Sequence, residues 1–269
     1  MKYEEIEIAF KEQMIELDRL QASYNEKIYK LISDFNCFDE KYKNEERFTK
    51  EEKDIVSNIA LIDFNKVVEE INKGESNIQL FRKYLSSYFG GCLAIRNEII
   101  KEKNIVLIYS FLFNLIHVME LCMKMLKIEN VEGFDDIKPT HNILDCYEKK
   151  KMQLLKFGLE EKFYNELMER LRELKEFVIE DDIPMCFKYP VNKDFKSLII
   201  SLDLVRLKVE DVKELVERLN KLLLIIMLIN VLSTKQNFNN LIESIDKQSA
   251  IIIEVSQSID EDLKQRKSN

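Results

Sequence analysis

A chain of 269 residues with 46% hydrophobic and 33% charged side chains can bury a sizeable core, and its composition is not that of a disordered protein. A net charge of -8 and a pI near 5.2 exclude a broad, non-specific nucleic-acid surface. Only 5 Gly and 3 Pro punctuate the chain, too few to turn the strands of a large sheet, so an all-α fold is expected.

The cysteines Cys37, Cys92, Cys122, Cys146 and Cys186 are odd in number, widely spaced and without a C-x-x-C pair. That pattern is expected of reduced thiols in a cytoplasmic protein. The opening MKYEEIEIAFKEQ is acidic and amphipathic, unlike a signal or transit peptide. The apolar runs Ile105–Tyr109 and Leu222–Ile229 fall short of the roughly 20 residues that span a bilayer, so both read as core helices and no membrane contact is expected.

In chain order, residues 1–35 carry Phe10, Met14, Leu17, Gln21, Tyr24, Ile28, Leu31 and Phe35 at alternating steps of four and three. This spacing predicts a long helix with a narrow coiled-coil-like seam. The seam either packs on its own domain or meets a partner, and Phe10, Met14, Leu17, Tyr24 and Ile28 are the candidate partner surface. Thr49–Glu52 forms a capping box that opens a second helix, which Gly74 stops. A third helix is expected from Ser76, interrupted at Gly90-Gly91 by a break or a close helix contact. No strand precedes these glycines and no P-loop pattern follows, which argues against phosphate cradling.

From Cys92 the chain reads as helix to about Lys127. A loop holding Gly133 and Pro139 follows, and Thr140 caps a helix that starts near His141. Gly158 separates that helix from Glu160–Glu180, whose Phe163, Leu167, Leu171, Leu174 and Val178 make an apolar stripe. Two of the three prolines fall in DDIPMCFKYPVNKDF, and Ser197–Val205 alternates enough to pair with Cys186–Tyr189. At most one short β-hairpin is therefore expected, near 186–205. Val209–Leu232 is a strong helix and Gln236–Ser256 a final amphipathic one. The expected architecture is an up-and-down helical bundle, with an N-terminal helical extension at 1–91, a bundle at 92–232 and a C-terminal helix and tail at 233–269.

The protein has two histidines, His117 and His141, and any histidine chemistry must use one of them. His117, Glu120 and Lys124 share one face of a helix that is otherwise apolar. Charges there are costly unless paired, so a Glu120–Lys124–His117 clasp, completed by His141 from the next helix, is the economical reading. The competing reading is proton transfer or ligand contact by the same groups. No H-x-x-x-H, H-E-x-x-H or C-x-x-C spacing suggests a metal, and no G-x-S-x-G motif or exposed Cys–His pair suggests a nucleophile. No cofactor is implied.

The core His117-x-x-Glu120-x-x-x-Lys124, then a loop, then Thr140-His141-Asn142-Ile143-Leu144, resembles the HEPN superfamily of prokaryotic helical domains. Phe187-Lys188-Tyr189-Pro190, followed by a short extended segment and the helix from Val209, adds to the likeness, which covers about residues 92–232. The resemblance implies a helical bundle that often dimerises. It also implies membership of toxin–antitoxin, phage-defence or RNA-processing systems, with Tyr189 beside the clasp. Members that cut RNA use an Arg followed four to six residues later by His. Here the nearest Arg before His117 is Arg96, and none lies between Arg96 and His141.

The expectation is thus a non-enzymatic interaction or sensing module. It would bind a partner protein, a second copy of itself, or an RNA or nucleotide. The alternative is a divergent, metal-independent endoribonuclease using His141 with Lys124 or Lys138 and Glu120, although Lys matches phosphate less well than Arg.

Overall fold

The computed structural model describes residues 1–43, 49–50, 80–102, 104–128, 134, 143–175 and 209–268. Among these residues the fold is all-α, and no strand occurs. The expected hairpin near 186–205, the Thr49–Glu52 box beyond its first two residues, His141 and Tyr189 lie outside the described residues. No helix among the described residues is long and apolar enough to cross a membrane.

The helices are α1 (Tyr3–Lys43), α2 (80–102), α3 (Ile108–Ile128), α4 (Ile143–Lys149), α5 (Lys151–Lys156), α6 (Glu161–Lys175) and α7 (Val209–Ser268). Acidic residues open the two longest, Glu4 and Glu5 in α1 and Glu210 and Asp211 in α7, where the helix dipole favours negative charge. The chain forms two compact units. One comprises Met1–Glu16 with Ile78–Gln236, the other Leu17–Asn77 with Asn237–Asn269.

The first unit is built around α3, whose buried Phe111, Leu112, Leu115, Met119, Cys122 and Leu126 face neighbours on most sides. A helix apolar nearly all round must be enclosed. Leu85, Cys92 and Ile99 of α2, Phe163, Leu167 and Leu171 of α6, and Leu219, Leu222 and Ile226 of α7 complete the same core. Buried polar groups tie the layers. The Tyr147 hydroxyl donates to the Met119 carbonyl at 3.3 Å, Tyr164 donates to the Tyr147 carbonyl at 3.4 Å, and the Cys122 thiol reaches the Ile226 carbonyl at 3.8 Å.

Gly90 and Gly91 do not break α2, which runs through both. Neither supplies a close helix contact. A Cβ at Gly90 would meet nothing within 4 Å, and one at Gly91 would lie 3.9 Å from Asn114 Oδ1. Burial of Phe89 and Cys92 on either side outweighs the weak helix propensity of glycine. The expected single helix from Cys92 to Lys127 is instead two, because the chain turns at Asn104 and a 3-10 turn over Ile105–Leu107 leads into α3. Gly158 does end a helix, as expected. Its φ of 111° is a left-handed conformation, and Leu159 N–H to Leu154 O and Gly158 N–H to Leu155 O close the end of α5.

The two helices expected at Val209–Leu232 and Gln236–Ser256 are a single one, α7, since no Gly or Pro interrupts residues 232–236.

Candidate functional site

The His117–Glu120–Lys124 face forms as the spacing implies. Lys124 Nζ donates to Glu120 Oε1 at 2.5 Å, and His117 Nδ1 lies 3.8 Å from Glu120 Oε2. Glu120 is the most enclosed of the three, at 14% exposure against 33% for His117 and 36% for Lys124. The imidazole sits against the edge of Tyr88 from α2, with ring centroids 4.4 Å apart, and lies parallel to Phe113 at 6.3 Å. The carboxylate is therefore held by its own helix, and the imidazole is sandwiched by aromatic rings from two helices. Tyr88 was not evident as a member, because only the pairing of α2 with α3 brings it opposite His117.

A second polar cluster in the same unit lies deeper. Glu166, 5% exposed, accepts from Arg170 Nε at 3.1 Å and stands 3.6 Å from both Lys221 Nζ and the Met1 amino group. Arg170 also reaches Glu173 at 2.7 Å, and Glu173 accepts from Arg218 Nε at 2.8 Å. The sequence signal was the i, i+4 and i, i+3 spacing of Glu166, Arg170 and Glu173. The link to Arg218 and Lys221 of α7 needs the fold. Among the described residues no group of three or more His, Cys, Asp or Glu could hold a metal ion.

The N-terminal seam is divided between the units. Phe10 packs against the core of the first unit, and Met14 is half-buried. In the second unit Tyr24 is buried and Leu17 and Ile28 pack beside it, all against α7 of the same chain. Here α1 and α7 run parallel. Lys27 pairs with Asp246 at 2.5 Å and, two heptads on, Lys41 pairs with Asp260 at 2.8 Å, both at an offset of 219 residues. An antiparallel pair could not hold a constant offset.

The core layers keep their own register. Tyr24 meets Phe238 with ring centroids 5.5 Å apart, and Tyr42 meets Ser256, each pair 214 residues apart. In heptad terms Ile28, Phe35 and Tyr42 are a positions and Tyr24, Leu31 and Phe38 d positions of α1. Ile242, Ser249, Ser256 and Leu263 are the a positions of α7, and Phe238, Ile245, Ile252 and Ile259 its d positions. The register thus sets Phe35 and Tyr42 level with serines, a large residue over a small one in each layer. Tyr42, 1% exposed, uses its hydroxyl on the Ser256 carbonyl and Oγ, both at 2.9 Å, and on Asp260 Oδ1 at 3.0 Å.

The ion pairs lie on one flank of this helix pair, joining g positions of α1 to e positions of α7. The hydrogen bond from Lys41 holds the Asp260 carboxyl below the usual carboxylate range, and the Asp260 partner raises Lys41. A depressed carboxyl adds stability that is present above its unfolded value and is lost as pH falls through the folded one. The surface of the pair also exposes large apolar side chains. Tyr29 is 73% exposed, Ile32 39%, Ile251 47%, Ile253 53% and Val255 38%.

No known protein family, curated protein or solved structure matches the chain.

Proposed function

We propose that the chain is a non-enzymatic interaction module that binds a protein through its second unit, in which α1 and α7 lie parallel. The observation that carries this reading is the set of exposed apolar side chains Tyr29, Ile32, Ile251 and Val255 on a helix pair whose own seam is already filled. Scattered single apolar residues are ordinary on a surface, but a group on one two-helix element marks an interaction site. The polar cluster supports the same reading, because Glu120 is satisfied by Lys124 and His117 is packed between Tyr88 and Phe113. The resemblance to the HEPN superfamily supports a place in a bacterial or phage conflict system, and the spacing of the cysteines supports a cytoplasmic one.

The test is a photo-crosslinking amino acid placed at Tyr29 in the full chain within its host. A covalent protein adduct at Tyr29, absent when the crosslinker replaces Lys247, is the expected result. Lack of any adduct at Tyr29 overturns the reading. Purified protein incubated with mixed RNA should leave it intact, and cleavage that disappears in His141→Ala would overturn the non-enzymatic assignment.

A further inference from the structure

We draw no further inference here: the strongest candidate, the exposed apolar patch of Tyr29, Ile32, Ile251 and Val255 on the α1–α7 pair of the second unit, already carries the interaction reading above, and nothing in the structure shows what covers it.

Discussion

Removing the Tyr42 hydroxyl tests whether α1 and α7 are held in the parallel register described. That hydroxyl is buried, and it joins α1 to α7 through the Ser256 carbonyl, Ser256 Oγ and Asp260. Tyr42→Phe keeps the ring and its packing against Leu263, so the cost is the hydrogen bonding alone. Ser256 Oγ can turn to its own helix and Asp260 keeps Lys41, so the expected loss is about 1–2 kcal/mol. Native-state hydrogen exchange over residues 24–43 and 238–263 reads this directly, with amides that exchange through separation of α1 from α7 speeding up about 5- to 30-fold. Lys27→Met removes an exposed pair and should cost under about 1 kcal/mol. Unchanged exchange in Tyr42→Phe, or an equal effect from Lys27→Met, would refute the claim that Tyr42 fixes the register.

Further outcomes are expected at single residues. Gly90→Ala should stabilise by about 0.5–1 kcal/mol, since α2 is regular there and the space is open. Gly158→Ala should destabilise by about 1–3 kcal/mol because of its left-handed φ, and the opposite signs can be read from two denaturation curves. Glu166→Ala removes the buried carboxylate that faces Arg170, Lys221 and the Met1 amino group, while Arg170 keeps Glu173, and should cost about 1–3 kcal/mol, measured as a fall in urea midpoint. Burial pushes the Cys92 thiol up to about 12, so the unfolded chain loses this proton first as pH rises. Stability from this group is intact below the unfolded value and falls by about 1.4 kcal/mol per pH unit toward the folded one. Cys92→Ala should flatten that slope, and brief alkylation at neutral pH should label exposed Cys37 while sparing Cys92, Cys122 and Cys146.

By itself the sequence determined the all-α class, the long N-terminal helix, the end of α5 at Gly158 and the sharing of Glu120 by Lys124 and His117. These are local matters, set by the periodicity of apolar residues, by glycine's access to positive φ and by i, i+3 and i, i+4 reach along one helix. Where the reading of Gly90-Gly91 went astray, a local preference met a tertiary one, and burial of Phe89 and Cys92 carried α2 through. The seam on α1 was legible from Tyr24 to Phe35, but a seam says only that something apolar covers it. Tertiary structure decided that the cover is α7, in parallel, with Tyr42 set over Ser256. It also brought exposed apolar residues of both helices, Tyr29 and Ile251 among them, onto the same helix pair. Pairings more than 200 residues apart leave no mark in local periodicity, because each helix would satisfy its own stripe equally well against any partner of matching shape.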